Sequence, residues 1–343
     1  MYYVTIDCGT TNSRAYVVDR DGKIRGKATK MVGVRDTATT GSRDKLRAGV
    51  CEIVARAIEN AGVSKCDISA VLSSGMITSE IGLCEIPHAM APCGEDELAS
   101  SITRADDMGI LDGVPVYFVR GIKNKMVSEE KRPYAQVGEL DFMRGEETQV
   151  AGILTRPDVT LPATVVVLSS HTKFICLDVQ GMVLGSITTL SGQLYDAILN
   201  NTFVGKSVEK REDRNVKPNN YFDEQVVLDA YDWIQNVGLV RALMFPRFLD
   251  VLLKTRWYER ALFYDALVAA EDMLAIRQLK LFDEHPSNNF YLVGNDERCK
   301  LYEYLLKRND PGANITSITD VAEIDALSIL GVLKIASKAG IIK

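Results

Sequence analysis

Short apolar runs separated by polar turns open the chain, a pattern that predicts β-strands. Residues 2–6 and 15–18 are rich in β-branched and aromatic side chains and are too short to be helices. They enclose the polar stretch 7–14, so we expect a β-hairpin. A turn signal at residues 19–22 then leads into a third strand over residues 23–28.

The same order of elements recurs in the middle of the chain. Residues 164–168, 174–177 and 182–187 predict three more strands, joined by a hydroxyl-rich turn at 169–173 and by the turn at 178–181. Such a recurrence indicates two domains of one ancestral fold. We therefore expect an α/β protein whose two similar domains, residues 1–160 and 161–343, face each other across a central cleft.

Apolar residues at helical spacing predict the remaining elements. The helices are expected at 44–61, closed by Gly62, at 97–108, at 191–199 with Ser191 as N-cap, at 297–306 and at 325–338. Residues 223–281 are helical almost throughout and form an insertion over about 222–282. Its expected core is Trp233, Leu243, Phe248, Leu252, Trp257, Leu262, Leu267 and Leu274. The last helix is a candidate for packing back on the first domain.

Composition narrows the class of protein. With 343 residues, 46% of them hydrophobic and 25% charged, the chain is expected to form a globular protein of about two domains. Its apolar runs are too short to span a membrane, and a net charge of −6 offers no basic face for nucleic acid. Seven scattered cysteines are typical of free thiols in a reducing cytoplasm. We expect no leader peptide, and a homodimer is left open.

The first turn has the groups that hold a phosphate chain and its magnesium ion. Gly9 gives the backbone freedom, Thr10, Thr11 and Asn12 supply donors, and Asp7 ends the strand with a carboxylate. Asp7 would hold Mg²⁺ through water, because this ion gives up its hydration shell reluctantly. An ordinary polar hairpin turn explains the motif equally well when it is taken alone. The second hairpin favours the phosphate interpretation.

The second turn would hold the other end of a triphosphate. Its candidate ligands are Ser169, Ser170, His171, Thr172 and Lys173. Gly294 follows the strand expected at 289–293 and would let an adenine or ribose lie against the backbone. Residues 74–76 follow another buried strand, at the edge where open α/β sheets place their ligands.

Two adjacent acids, Glu146 and Glu147, open a predicted helix after Gly145. Adjacent helical residues point about 100° apart, so at most one of them can face a reacting group. We favour Glu146 as a general base, because Glu147 lies above the apolar face of the helix. The alternative is structural, since acids in a first helical turn complement the helix dipole.

A family resemblance is carried by motifs spread through most of the chain. They are Ile6-Asp7-x-Gly9-Thr10-Thr11-Asn12-x-Arg14-Ala15, Ser74-Gly75-Met76-Ile77, Pro87 with Ala91-Pro92, Met143-Arg144-Gly145-Glu146-Glu147-Thr148-Gln149, His171-x-Lys173-Phe174 and Gly192. This set resembles the 2-dehydro-3-deoxygalactonokinases, a branch of the superfamily of actin, sugar kinases and heat-shock ATPases. The fold implied is two ribonuclease-H-like domains facing a central cleft. The activity implied is transfer of the ATP γ-phosphate to the 6-hydroxyl of 2-dehydro-3-deoxy-D-galactonate, a step in galactonate breakdown.

The expected mechanism is direct in-line transfer with ATP and Mg²⁺. Glu146 would accept the hydroxyl proton, the two turns would hold the phosphates, and Lys173 would offset developing charge. The sugar acid would lie near Ser74, Gly75 and Met76. Arg14 or Arg144 would grip its carboxylate, although for Arg14 a salt bridge within the domain is an equal alternative. The cleft is expected to close over both ligands.

Other functions stay open at this stage. The same fold could serve a kinase for a related sugar acid, a non-catalytic sugar-acid sensor, or an ATPase that acts on a protein partner. Formation of ADP with and without a sugar acid discriminates between them.

Overall fold

The computed structural model describes residues 1–126, 132–210, 216–283 and 287–342. The strands are β1 Tyr2–Cys8, β2 Ser13–Val18, β3 Ile24–Lys30, β4 Ile68–Gly75, β5 Ala89–Met90, β6 Thr103–Arg104, β7 Val116–Phe118, β8 Ile122–Lys123, β9 Phe142–Met143, β10 Ala163–Leu168, β11 Thr172–Leu177, β12 Val183–Thr189, β13 Asn289–Val293 and β14 Asn314–Ile318. The polar sequence predicts loops over residues 121–137 and 206–217, and parts of both ranges lie outside the described residues.

The α-helices are α1 Val34–Thr40, α2 Asp44–Ala61, α3 Glu95–Ser100, α4 Pro133–Gln136, α5 Glu146–Ile153, α6 Ser191–Asn201, α7 Gly205–Val208, α8 Glu224–Val237, α9 Leu239–Ala242, α10 Phe245–Val251, α11 Trp257–Ala275, α12 Asp296–Asn309 and α13 Val321–Lys338. Helix α2 has the predicted bounds and ends at Gly62 in the left-handed conformation. Its buried face, Leu46, Val50, Ile53, Val54 and Ala57, belongs to the core that also contains Val4 and Ile6 of β1.

Two sheets share one strand order. The first runs β3-β2-β1-β4-β7-β6, and the second runs β12-β11-β10-β13-β14. In the first, β1 is antiparallel to β2 and parallel to β4; in the second, β13 is parallel to both β10 and β14. Each sheet therefore begins with a three-strand meander and continues with strands that need helical crossovers. The repeat inferred from the two hairpins is present in the structure.

The chain forms two compact units. The first contains Met1–Pro162, Cys176–Ser186 and Asp320–Lys343, and the second contains Ala163–Ile175 and Ile187–Thr319. The segment 176–186 lies in the first unit, where Val183 pairs with Cys93 and the Ser186 backbone bonds to the Asn124 side chain. The last helix, α13, also lies in the first unit, against α5.

Two local predictions were wrong because tertiary contacts outweighed the local pattern. The helix expected over 97–108 ends at Ser100, and the chain then adds β6 to the sheet beside β7. Helix α1 is an additional element for which no prediction was made, and its first amides bond to the first turn. Ser191 is the first residue of α6 and not its cap; its hydroxyl donates to Asp272.

The helical insertion is present, but most of its expected core is not fully buried. Leu267 is buried, whereas Trp233 is 44% exposed and Leu252 is 71% exposed. Helix α8 buries the face that carries Val227, Ala230 and Ile234. Trp233 therefore lies outside that face and packs edge-on against Phe245, with ring centroids 5.1 Å apart.

Glycines bring the backbones of α5 and α13 into direct contact. A Cβ atom on Gly331 would lie 1.8 Å from the carbonyl oxygen of Thr148, and one on Gly152 would lie 2.0 Å from that of Leu327. No side chain fits at either position without moving a helix. This contact fixes α5, and with it the two acids of its first turn, relative to α13.

Gly331→Ala is expected to destabilise the first unit by about 1–3 kcal/mol, because the new methyl group overpacks a backbone contact. Thermal unfolding should show a midpoint lower than that of the parent protein. Gly138→Ala is the matched control, since a Cβ on Gly138 would meet nothing within 4 Å. An unchanged midpoint for Gly331→Ala would show that the helices separate without cost.

Candidate active site

The first turn and the end of β4 lie side by side in the first unit. Parallel pairing sets Asp7 opposite Ser74 and Cys8 opposite Gly75. Asp7 Oδ2 lies 3.3 Å from Arg14 Nη1, and the two side chains are 39% and 44% exposed. Burial raises the pKa of Asp7 despite the nearby Arg14 guanidinium. The salt bridge considered for Arg14 is therefore present.

The first turn is stabilised by a hydrogen bond within the turn and by another to helix α1. The Gly9 amide donates to the Asn12 carbonyl at 2.9 Å, so that amide is engaged within the turn. The carbonyl of Thr10 accepts from the Arg35 amide at 2.9 Å, which ties the turn to the start of α1. Thr10, Thr11 and Asn12 remain exposed. Their hydroxyl and amide groups are thus available to a ligand at a rigid backbone.

Helix α5 begins at the same edge. Gly145 precedes it with φ +112°, a conformation that favours glycine, and a Cβ there would lie 3.5 Å from Gly75 Cα. Ser74 Oγ and Thr148 Oγ1 are 3.5 Å apart. Met76 continues from Gly75 into the short 3₁₀ helix Met76–Thr78. The structure thus brings together Asp7, Arg14, the 74–76 segment and the two acids.

The two acids differ sharply in environment. Glu147 is 1% exposed; one carboxylate oxygen accepts from the Gly145 amide at 2.7 Å, and Oε1 has no hydrogen-bond partner among the described residues. Burial, followed by the charge of Glu146, raises the pKa of Glu147 to about 8. Glu146 is half-buried and accepts from the Arg144 amide at 3.2 Å. Of these two acids, only Glu146 is therefore accessible from outside.

The Arg144 guanidinium is fixed by hydrogen bonds to groups of the first unit. Its guanidinium donates to Thr78 Oγ1 at 2.7 Å and to the Ile86 carbonyl at 3.0 Å, and it lies 3.4 Å from His88 Nδ1. Desolvation lowers the pKa of His88 to about 4, so its imidazole is neutral at pH 7. Arg144 thus connects the segment after β4 to the start of α5.

The second turn lies in the second unit. The Ser169 amide donates to the His171 carbonyl at 3.2 Å, and Ser170 Oγ lies 3.3 Å from His171 Nδ1. Ser169 and Ser170 are exposed. A Cβ on Gly192 would lie 2.2 Å from the Ser169 carbonyl oxygen, so only glycine lets α6 pack on the turn. The Gln193 amide then donates to the Ser170 carbonyl at 2.7 Å.

Two predicted ligands have a different place from the one expected. Thr172 and Lys173 belong to β11 and not to the turn, and they are 0% and 4% exposed. The Lys173 ammonium donates to Thr188 Oγ1 inside the sheet. Gly294 lies between β13 and α12, as expected, and a Cβ on it would lie 2.8 Å from Leu168 Cβ, so packing alone requires a glycine there.

Sequence reasoning missed Arg298, Tyr302 and Asp272. Arg298 donates to the Ser169 carbonyl at 2.8 Å and to Thr172 Oγ1 at 2.9 Å, and the Tyr302 hydroxyl donates to Asp272. This network of hydrogen bonds fixes the second turn through the Ser169 carbonyl and the Thr172 hydroxyl. The available signal was the strand-to-helix turn at 294–295, which puts Arg298 in the first turns of α12. The partners of Arg298 and Tyr302 lie far away in the sequence, so the local pattern could not predict these hydrogen bonds.

A cavity of about 1170 Å³ opens beside the second turn, within the second unit. Its wall includes Ser169, Ser170 and Gly192 together with side chains from α6, α7, α11 and α12. The volume is sufficient for a nucleotide.

Among the described residues, no group of three or more histidine, cysteine, aspartate or glutamate side chains is arranged to bind a metal ion, and no helix is long and apolar enough to cross a membrane. All seven cysteines are free thiols.

The family model described as 2-keto-3-deoxy-galactonokinase matches residues 7–329. The chain belongs to this family. One relative, from Rhizobium meliloti (strain 1021) and named as a probable 2-dehydro-3-deoxygalactonokinase, DgoK1, is 24% identical over 216 residues. The match covers 62% of this chain and 60% of that relative's length.

Solved structures support the fold. A crystal structure from Sinorhizobium meliloti, of a protein provisionally assigned as a 2-dehydro-3-deoxygalactonokinase, is similar with a TM-score of 0.70 at 21% identity over 98% of both chains. Component A of (R)-2-hydroxyglutaryl-CoA dehydratase from Acidaminococcus fermentans gives a TM-score of 0.50 at 14% identity over 99% of both chains. The predicted fold class, α/β with the repeated unit of actin-like ATPases, is confirmed.

Glu147→Gln is expected to stabilise the protein increasingly as the pH rises from about 4.5 to about 8. In the wild-type protein, the Glu147 carboxyl stays neutral below about pH 8 in the folded state but ionises near pH 4.5 in the unfolded state. The free energy of unfolding of the wild-type protein therefore falls as the pH rises through this window, whereas a glutamine does not ionise. The difference can reach on the order of 4 kcal/mol. Thermal midpoints of both proteins across this pH range provide the measurement.

Glu59→Gln is the matched control, because it removes an exposed acid on α2 that does not contribute to the raised pKa of Glu147 and should leave the pH dependence of the midpoint unchanged. A midpoint difference between Glu147→Gln and wild type that stays constant with pH would mean that Glu147 ionises normally.

Proposed function

We propose that this protein is a sugar-acid kinase that transfers the γ-phosphate of ATP to the 6-hydroxyl of 2-dehydro-3-deoxy-D-galactonate. The observation that carries the proposal is the family match across residues 7–329. The substrate follows from the family's name and from the relatives' names. Galactonate breakdown is the corresponding place in metabolism.

The second unit would bind the nucleotide. Its cavity adjoins the exposed hydroxyls of Ser169 and Ser170, and the backbone there is fixed by Gly192 and Arg298. Rigid donors at a turn suit phosphate oxygens, because no ordering cost is added on binding. His171 would support this turn through Ser170.

The first unit would bind the sugar acid and begin the chemistry. Glu146 would accept the proton of the attacking hydroxyl as the oxygen approaches the γ-phosphorus. Its neighbour Glu147 holds a proton at neutral pH and is sealed from outside, which disfavours it as the base. Arg14, half-exposed on β2 and paired with Asp7, which in turn lies opposite Ser74, is the cation we assign to the substrate carboxylate.

The residues present fit a magnesium ion held mainly through water. Asp7 offers one half-exposed carboxylate at the end of β1, next to the exposed hydroxyls of Thr10 and Thr11. Mg²⁺ in kinases is commonly held by one or two carboxylates, water and the substrate's phosphates. When bound, the ion offsets charge on the phosphates. Arg14 would hold the Asp7 carboxylate in place.

The direct test is ADP formation by the purified protein with ATP and Mg²⁺, with and without 2-dehydro-3-deoxy-D-galactonate. We expect ADP only when the sugar acid is added, together with a 6-phosphorylated product detected by mass spectrometry. A panel of related sugar acids shows which epimer is preferred. ADP without any sugar acid would indicate an ATPase, and sugar-acid binding without ADP would indicate a sensor; either result contradicts the proposal.

Glu146→Gln is expected to reduce phosphoryl transfer by at least about a hundredfold, because general bases typically contribute that much. Nucleotide affinity, measured by calorimetry, should stay within twofold of wild type. Glu147→Gln is the comparison variant. If it abolishes transfer while Glu146→Gln remains active, the assignment of the base is reversed.

A further inference from the structure

A carboxyl and a phenol form a fixed pair in the wall of the second unit's cavity. Asp265 on α11 and Tyr195 on α6 both line the cavity, and the Tyr195 phenol is near enough to Asp265 to act on the pKa of its carboxyl. The Tyr195 ring stacks on Tyr264, with centroids 4.8 Å apart. The Tyr264 hydroxyl donates to the Tyr195 carbonyl at 2.9 Å. Stacking therefore orients the Tyr195 ring, and the hydrogen bond joins α11 to the backbone of α6.

The interactions that stabilise the ionised form of Asp265 are weaker than the desolvation that opposes ionisation. Burial outweighs the Tyr195 hydrogen bond and the more distant Arg298 and Lys217, while Glu297 adds repulsion, so the pKa of Asp265 rises to about 7. Such an acceptor gains most from a ligand that brings further donors. Neither Asp265 nor Tyr195 has a role in the phosphoryl transfer proposed for this protein.

Helix α11 gives the position of this pair along the cavity. Asp272, seven residues after Asp265, belongs to the network that holds the second turn through Tyr302 and Thr172. Tyr258, seven residues before Asp265, lies in a group of aromatic side chains with Trp257 and Tyr221. Seven residues are two helical turns, or about 10 Å. Asp265 thus lies midway between the phosphate turn and an aromatic end.

This order matches the order of parts in a nucleotide. Phosphates would lie at the turn, the sugar beside Asp265 and the base among the aromatic rings. Tyr195 agrees with this placement, since it is one helical turn after Gly192, which contacts the second turn.

We propose that Asp265, oriented by Tyr195, accepts hydrogen bonds from the sugar hydroxyls of the bound nucleotide and makes the protein selective for ribonucleotides. One carboxylate can accept from both hydroxyls of a ribose. A 2′-deoxyribose offers a single donor and leaves the partly buried carboxylate with one hydrogen bond fewer. The inference rests on the proposed nucleotide role of this cavity.

The test compares binding of ADP, 2′-deoxy-ADP and 3′-deoxy-ADP to the full-length protein by calorimetry. The wild-type protein should bind each deoxy nucleotide about tenfold more weakly than ADP, the effect of one hydrogen bond to a charged group. In Asp265→Asn, ADP should weaken by at least that factor, and the preference for ADP should shrink to about twofold or less.

Asp196→Asn is the matched control, because it removes a carboxylate that is exposed and lines the same cavity. It should keep the full preference for ADP. Equal binding of the three ligands by the wild-type protein would overturn the inference without any variant. Equal weakening of all three by Asp265→Asn would overturn it as well, because Asp265 would then act on the base or on packing.

These results are separable from those on the proposed function. Transfer to the sugar acid with equal use of ATP and 2′-deoxy-ATP would refute the sugar selectivity alone. Ribose-selective ADP binding in a protein that phosphorylates no sugar acid would refute the kinase activity alone.

Discussion

The contact between the backbones of α5 and α13 is the constraint on which the first unit's site depends. Gly152 and Gly331 have no side chain to separate the helices, and α13 comes from the end of the chain. The N-terminus of α5 is thereby pressed against the end of β4, where Gly145 approaches Gly75. The acids of α5 consequently have a fixed position beside Asp7 and Arg14.

That position has an electrostatic consequence. Glu147 is enclosed so completely that its neutral form is favoured, whereas Glu146, one residue earlier, keeps access from outside. Asp7 is partly buried but is paired with Arg14. A single helix start thus places two carboxyl groups in different environments, one enclosed with a raised pKa and one accessible from outside.

In the second unit, packing and hydrogen bonds fix the backbone of the second turn, while two of its hydroxyl groups stay exposed. Arg298, Tyr302 and Asp272 form a polar network behind β11, and Gly192 lets α6 pack directly on the turn. The network engages the Thr172 hydroxyl and leaves those of Ser169 and Ser170 at the surface. Helix α11 then extends the same wall past Asp265 toward the aromatic end of the cavity.

The sequence by itself determined most of the elements and their repetition, because strand and helix periodicity and turn residues act within a few positions of one another. It also located both turns and the acids of α5. Tertiary structure alone decided how completely Glu147 is enclosed, which partner Arg14 takes, and that Thr172 and Lys173 are buried in the second unit. Those outcomes depend on residues far apart in the chain, such as Gly331 with Thr148 and Arg298 with Ser169, and no local pattern records which distant groups will meet.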